Sequence, residues 1–401
     1  MMDLPPGLDS RPLRVGIFTN VLEHRPSGIG WHVIHLLKAL SEVDTKNQYF
    51  LIYRTQCWNS SLGHQFSPIS SNFRHVPVAV PDLFYKRYFR VFDRWVLPRV
   101  IRRLRLDVFH GPNHYLPRKT TVPQVVTYHD IAQAVLSVGE EGVRHQVAVQ
   151  NCLNRADAVI ALSKCTMADL TKVGKLPLGK YIIYQGGNHE GENAQNSNCI
   201  DSVRREFRLT ERYVLFVGSV VERKNLPTLI RVFARVQASI GGHLQLVIAG
   251  ADDTPEAHRV RAACTANGVG DHVVFTGYVS NEQLTGLYGG ASAFVLASHY
   301  EGFGMILLEA MAAGVPIVCT AAGALPEVLG DAGILVPPGD EEAMAEAVLR
   351  VLRSPEVAAD LVVRGHARRK AFSWRKMAEE TLAVYREVAA DHLTGSDRPR
   401  P

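Results

Sequence analysis

Short apolar runs ending in turn residues recur along this chain, each followed by a stretch of helical periodicity, and few folds accommodate that alternation. Leu13 to Thr19, Tyr49 to Tyr53, Val108 to His110, Gln124 to Thr127 and Ala158 to Ala161 are such runs. Continuous apolar runs separated by helix-like segments suit parallel strands covered by helices on both faces. The first run leads through Gly28-Ile-Gly30 into the helical pattern Trp31, Ile34, Leu37, Leu40, which reads as strand, glycine loop and helix. A second series follows at Tyr213 to Val217, Leu244 to Ala249, Val273 to Phe275, Phe294 to Ala297, Ile317 to Cys319 and Ile334 to Val336. The pattern predicts an α/β chain with two doubly wound parallel-sheet domains. The polar, turn-rich stretch after Gln185, which includes Gly-Gly-Asn-His-Glu-Gly-Glu-Asn, has the composition of a linker. The expected layout is a first domain over 1–184, a linker over 185–212, a second domain over 213–372, a last helix over 373–393 and a disordered tail over 394–401.

A length of 401 residues, 46% hydrophobic and 21% charged, gives each domain enough apolar material for its own core. The net charge of +5 is too small for general nucleic-acid binding as the main role, but it suits small anionic ligands and anionic lipid surfaces. Cys57, Cys152, Cys165, Cys199, Cys264 and Cys319 form no C-x-x-C pair and no metal-ligand spacing, so reduced thiols are expected. The start of the chain lacks a basic segment followed by an apolar core, and no run of about eighteen apolar residues occurs. A cytoplasmic protein without a membrane span is the expectation.

The chemistry concentrates in Glu301-Gly-Phe-Gly-Met-Ile-Leu-Leu-Glu309, two carboxylates eight positions apart around a Gly-Phe-Gly turn. The strand-like Ala293 to Ala297 precedes it, and Met305 to Ala313 continues as helix. Gly302 and Gly304 let the backbone approach a ligand, and a helix start at Met305 offers unpaired N–H groups and positive potential to a diphosphate. Glu301 then sits in the loop facing the ligand. Glu309, one turn inside the helix, can accept from paired hydroxyls such as those of a ribose. The whole string reads as a nucleotide-sugar site. Arg223 and Lys224 follow the strand that ends at Gly218, where both can reach a crevice at the sheet's carboxyl edge and stabilise a departing diphosphate. No Asp-x-Asp metal motif is present, so no metal is expected. Thr127-Tyr-His129-Asp130 ends another apolar run, and His129 there can donate to a sugar hydroxyl or to a developing charge while Asp130 orients the loop. His110 and His114 are further candidates for the acceptor side. Gly28-Ile-Gly30 lacks the third glycine of the dinucleotide fingerprint, which makes a dehydrogenase unattractive.

These segments, with Val217-Gly-Ser-Val-Val-Glu-Arg-Lys-Asn225, Phe275-Thr-Gly-Tyr-Val279 and Leu325-Pro-Glu-Val-Leu-Gly330, resemble the retaining glycosyltransferases of family 4 over most of the chain. The resemblance implies a GT-B fold, two Rossmann-like domains facing a central cleft. It implies that Arg223 and Lys224 engage the donor phosphates and that Gly28 and Gly30 lie on the phosphate and acceptor side. It further implies that the nucleobase is read near Gly277, Tyr278 and Val279. The expected catalytic set is therefore His129, Glu301, Arg223 and Lys224. The expected donor-binding set is Gly28, Gly30, Gly218, Tyr278, Val279, Gly302, Phe303, Gly304, Met305 and Glu309. No cofactor is expected, because the nucleotide sugar is a co-substrate.

Family members usually offer no well-placed carboxylate nucleophile, so the resemblance favours front-face displacement. In that mechanism the departing phosphate takes the acceptor's proton, Arg223 and Lys224 hold its charge, and His129 and Glu301 grip the sugar. The favoured donor is GDP-mannose over UDP- or dTDP-sugars, and the acceptor a saccharide or lipid-linked saccharide in polysaccharide assembly. A nucleotide-sugar epimerase or hydrolase on the same scaffold is the second enzyme reading. A non-catalytic nucleotide-sugar-binding subunit is the third. The segment Tyr85 to Arg105 interleaves arginines with aromatics. It either rests on an anionic membrane at the inner face of the plasma membrane or turns its apolar side chains into the core, with Pro98 interrupting any long helix.

Overall fold

A computed structural model describes residues 11–22, 28–54, 70–80, 89, 91–187, 196–240 and 243–394. The chain divides into two compact units, Met1–Gln185 with Ser373–Pro401, and Gly186–Phe372.

The first unit is built on a seven-stranded, wholly parallel sheet in the order β3-β2-β1-β4-β5-β6-β7. Its strands are β1 Arg14–Phe18, β2 Gln48–Arg54, β3 Phe73–Val78, β4 Val108–Gly111, β5 Gln124–Tyr128, β6 Ala158–Ala161 and β7 Gly179–Ile182. The inner strands β4, β5 and β6 are buried along their whole length, as their apolar sequences require. The edge strands β3 and β7 were not evident as apolar runs, and the reason is position. Each pairs on one side only and alternates partly exposed residues, and β3 carries Pro77, which an edge tolerates.

The expected glycine loop at Gly28-Ile-Gly30 is instead the first turn of the helix Gly28–Val43, with Gly28 exposed and Gly30 buried. The last helix, Trp374–Leu393, packs along that helix. The His35 ring stacks on Trp374 at 4.8 Å, and Tyr385 reaches β4 to hydrogen-bond His110. Of the tail expected to be disordered over 394–401, Thr394 instead caps the last helix, its N–H donating to the Ala390 carbonyl, and 395–401 lie outside the described residues, as do Cys57 and the first ten residues.

The basic segment turns part of its apolar side into the core. Tyr85 to Tyr88 and Arg90 lie outside the described residues. A π-helical turn, Phe92–Val96, runs into the helix Leu97–Arg103 with Pro98 in its first turn, where its ring cannot donate to the carbonyls of the preceding turn. Phe92, Leu97 and Ile101 enter the core. Phe89, Val91 and Trp95 stay outside, and Trp95 is 52% exposed with Arg99 at 5.2 Å and Arg94 at 6.0 Å from its ring. No helix among the described residues is long and apolar enough to cross a membrane.

The second unit has six parallel strands in the order β10-β9-β8-β11-β12-β13. They are β8 Tyr213–Val217, β9 Gln245–Ala249, β10 Val273–Gly277, β11 Ala293–Leu296, β12 Ile317–Thr320 and β13 Ile334–Val336. This is the doubly wound order in which the chain reverses direction across the sheet between β8 and β11, opening a crevice at their carboxyl ends. The region expected as a linker carries a helix, Ser197–Phe207, capped by the Asn196 side chain. It packs so closely on the helix Asn281–Gly289 that a Cβ on Gly286 would lie 2.5 Å from the Cys199 carbonyl oxygen. Its polar sequence misled because only Val203 is buried.

Candidate active site

The crevice between β8 and β11 is where the second unit gathers its charges. After β8, Gly218 takes φ 140° and the chain makes a 3-10 turn, Glu222–Lys224, closed by Asn225 in the left-handed region at φ 53°. Arg223 and Lys224 therefore sit in a tight turn ahead of the helix Leu226–Ile240, rather than at its start. Lys224 folds back over Gly218, its Nζ 3.7 Å from where a Cβ on that glycine would stand.

The chain leaving β11 supplies the partner. Lys224 Nζ donates to Glu301 Oε1 at 2.6 Å, Ser298 Oγ donates to the same oxygen at 2.7 Å, and Arg223 Nη1 donates to Oε2 at 2.8 Å. Backbone bonds fix the arrangement. His299 N–H donates to the Arg223 carbonyl at 2.8 Å, and Ala324 N–H donates to the Glu301 carbonyl at 2.8 Å. Thr320 Oγ1 at the end of β12 donates to the Ser298 carbonyl at 2.7 Å. Gly323, at φ 58°, lies so close that a Cβ there would meet the Glu301 carbonyl oxygen at 2.3 Å. Three strand ends thus converge on one carboxylate.

Glu301 and Lys224 are buried, whereas the Arg223 side chain is 35% exposed. Burial alone would raise the Glu301 pKa, but the charges of Lys224 and Arg223, with hydrogen bonds from Lys224 and Ser298, hold it below the ordinary carboxylate range. The carboxylate stays ionised at neutral pH, and with two cations around it the cluster keeps net positive charge. Such a cluster can take a diphosphate.

The rest of the string lies as follows. Gly302 is buried, and the Phe303 ring packs edge-on against Phe372 at 5.8 Å, so its side chain serves the core. Gly304, at φ 92°, caps the helix Met305–Ala313 without a side-chain hydrogen bond to its N-terminus. Glu309 is buried and accepts from Tyr288 Oη at 3.0 Å. Tyr278 is 56% exposed just beyond β10, with Val279 half-buried beside it.

The expected histidine lies in the first unit, in a cluster. His129 Nε2 is 2.8 Å from the Pro112 carbonyl, which can only accept, so that nitrogen carries the hydrogen. The role expected for His129 changes accordingly: its N–H is already engaged, and the neutral ring has Nδ1 to offer as an acceptor. His114, strained at φ 63°, accepts the His129 backbone N–H at 2.9 Å and stacks on Tyr128. His110 does not line a ligand site; it is fully buried between Tyr385 Oη at 2.6 Å and Thr127 Oγ1 at 2.8 Å. His32, from the first helix, meets the His129 ring edge-on at 4.4 Å and bonds Gln185 at 2.8 Å. Asp130 accepts from the Ala132 N–H and so orients its loop.

Of the residues singled out from the sequence, Glu301, Arg223, Lys224 and Gly218 come together. Glu309, Gly302, Gly304 and Met305 follow on the same segment, and Gly28, Gly30 and His129 belong to the other unit. Ser298, Thr320, Gly323 and Tyr288 were missed. Ser298 directly precedes His299 and could have been found as the polar residue closing an apolar strand. Thr320, Gly323 and Tyr288 are placed by tertiary packing alone.

The sequence matches the Glycosyl transferases group 1 family over residues 200–368 and the Glycosyltransferase Family 4 over residues 26–186. It is 27% identical to the O-antigen chain mannosyltransferase B of Escherichia coli over 289 residues, 70% of this chain and 74% of that protein. It is 30% identical to the alpha-maltose-1-phosphate synthase of Mycolicibacterium smegmatis over 290 residues, 67% of this chain and 74% of that protein. The sucrose-phosphate synthase of Thermosynechococcus elongatus shares the fold at a TM-score of 0.74 with 23% identity, covering 94% of this chain and 99% of that one.

Two outcomes follow from these environments. Replacing Glu301 by Ala strands a buried ammonium, which costs about 3–5 kcal/mol; urea unfolding should show that loss, and adding Lys224→Met should recover much of it. No recovery in the double variant would mean that the pair is not coupled. Burial and neighbouring histidines lower the pKa of His32, and push His110 and His114 down to about 3; burial also lowers His129. The unfolded chain takes up these protons below about pH 6.5 while the folded unit does not, so stability is present at neutral pH and lost as pH falls, by up to about 1.4 kcal/mol per pH unit for each ring. Urea midpoints should drop between pH 7.5 and 5.5, and equal midpoints would mean that the rings are already protonated in the fold.

Proposed function

We propose, for this chain, which belongs to the family 4, group 1 glycosyltransferases and has their GT-B fold, that it transfers mannose from GDP-mannose to a saccharide or lipid-linked saccharide with retention of configuration and without a metal. The observation that carries this reading is the buried Glu301 carboxylate held by Lys224, Arg223 and Ser298 at the crossover of the second sheet. A leaving nucleoside diphosphate needs fixed positive charge as its bond to the sugar breaks, and Lys224 and Arg223 offer it from a preorganised turn. Mannose is favoured by the similarity to a protein named as a mannosyltransferase.

In the proposed step the bond from the sugar's anomeric carbon to the phosphate oxygen breaks and that carbon bonds the acceptor oxygen on the same face. The acceptor's proton passes to the departing phosphate oxygen. Lys224 and Arg223 carry the growing charge. Glu301 keeps the two cations aligned and accepts from sugar hydroxyls, Glu309 accepts from the ribose hydroxyls, and Tyr288 fixes the Glu309 carboxylate. His129 receives a sugar hydroxyl at its bare Nδ1.

The reading extends to location: the protein works on the cytoplasmic side and meets the inner face of an anionic membrane through the exposed Trp95 and the arginines around it. Interfacial tryptophan beside arginine is the combination that binds such surfaces.

Three measurements test this. Incubated with UDP-, GDP-, ADP- and dTDP-sugars, the protein should release GDP slowly from GDP-mannose at equal rates with and without EDTA. Release confined to another nucleotide would remove the GDP-mannose reading, and abolition by EDTA would remove metal independence. Glu301→Gln should cut turnover at least about tenfold more than donor affinity, because its contacts tighten as charge develops; equal losses in both would contradict that role. In flotation assays the chain should rise with vesicles rich in anionic lipid, and Trp95→Ser with Arg99→Gln should leave it at the bottom. Equal flotation of the variant would exclude this face.

A further inference from the structure

Beside the cationic crevice the second unit carries a shelf that ends in a carboxylate. Gly218, Gly250 and Gly277 close the adjacent strands β8, β9 and β10 with φ of 140°, 145° and 66°. Gly218 N–H donates to the Ala249 carbonyl at 2.8 Å and Gly250 N–H to the Gly277 carbonyl at 2.9 Å. A Cβ on Gly250 would stand 2.2 Å from the Gly218 carbonyl oxygen. At the far end, Asp252 Oδ1 lies 3.8 Å from where a Cβ on Gly277 would be. Its other oxygen is held by Arg261 Nη2, and the Arg261 guanidinium in turn lies 4.0 Å from the centre of the Phe275 ring on β10. The Asp252 side chain keeps 24% of its exposure, so this is a positioned carboxylate that still reaches solvent.

We propose that Asp252 reads the nucleobase of the donor and selects guanine. The inference rests on the nucleoside diphosphate reading of the site and deepens it. Charge sets the direction: a diphosphate is drawn to Lys224 and Arg223 at the end of β8 and repelled by Asp252. From β8 to β10 is two strand spacings, about 10 Å, a span that suits a nucleoside lying across the glycines. The edge of the base that arrives at Asp252 must satisfy a carboxylate, which only accepts. Guanine offers two adjacent donors, N1–H and the N2 amino group. Uracil and thymine offer one N–H between two carbonyls, which the carboxylate repels, and adenine and cytosine set an acceptor next to their amino group. The match is therefore to guanine alone, and Arg261 keeps the carboxylate facing it.

The test uses the full chain and calorimetric titration with GDP, IDP and UDP, IDP being GDP without the N2 amino group. The wild-type protein should bind GDP about 5- to 100-fold more tightly than IDP or UDP, the range of a bidentate base contact. Asp252→Ala and the isosteric Asp252→Asn should bring GDP to within about threefold of IDP, with thermal unfolding unchanged because the side chain is a partly exposed loop acid. If both variants keep the wild-type preference, Asp252 is not the reader and the transferase reading stands. If the wild-type protein binds UDP more tightly than GDP, or binds none of the three, the guanine assignment falls together with the GDP-mannose donor.

Discussion

The second unit turns on a single buried carboxylate. Glu301 is surrounded by Lys224, Arg223 and Ser298, and its backbone is gripped from the other side by Ala324 and Gly323. An isolated charge at this depth would be costly, and a lone lysine beside it equally so. Together they are tolerable, and their residual positive charge is available to an anion that arrives later. The loops after β8, β11 and β12 are consequently shaped around one ion cluster, which explains the left-handed Asn225, the left-handed Gly323 and the bond from Thr320 to the Ser298 carbonyl. Each of these contacts helps fix the position of the carboxylate.

The first unit uses a different device. Its polar cluster is made of neutral rings: His32, His110, His114 and His129 are kept unprotonated by burial, and each has a defined partner in Gln185, Tyr385, the His129 backbone or Pro112. The last helix takes part through Tyr385 and Trp374, so chain distant in sequence fixes the strand ends that present His129. One unit therefore carries fixed cations, and the other a cluster of neutral rings.

The two parallel sheets were legible in the sequence because inner strands are buried on both faces and read as unbroken apolar runs. β3 and β7 were not, because at an edge half of the residues face water. The helix Ser197–Phe207 was hidden by its composition, since only Val203 is buried and the helix is stabilised by its neighbour. Within the site, Arg223, Lys224, Glu301 and Glu309 could be named from motif and resemblance, but their mutual arrangement could not. That Glu301 would be paired with two cations, and that the His129 N–H would be taken by a carbonyl, are consequences of loop geometry without a local sequence signal. His110 shows the limit most plainly: it ends a strand like His129, yet the packing of Tyr385 turns it into a structural tie.

The central claim is that the Glu301 cluster is a cation pair held ready for a diphosphate. A crystal structure with GDP bound tests it directly. The account predicts phosphate oxygens within hydrogen-bond distance of Lys224 Nζ and Arg223, with Glu301 still in contact with at least one of the two cations. A diphosphate bound elsewhere on the chain, with the Glu301 bonds to Lys224 and Arg223 unchanged, would contradict it.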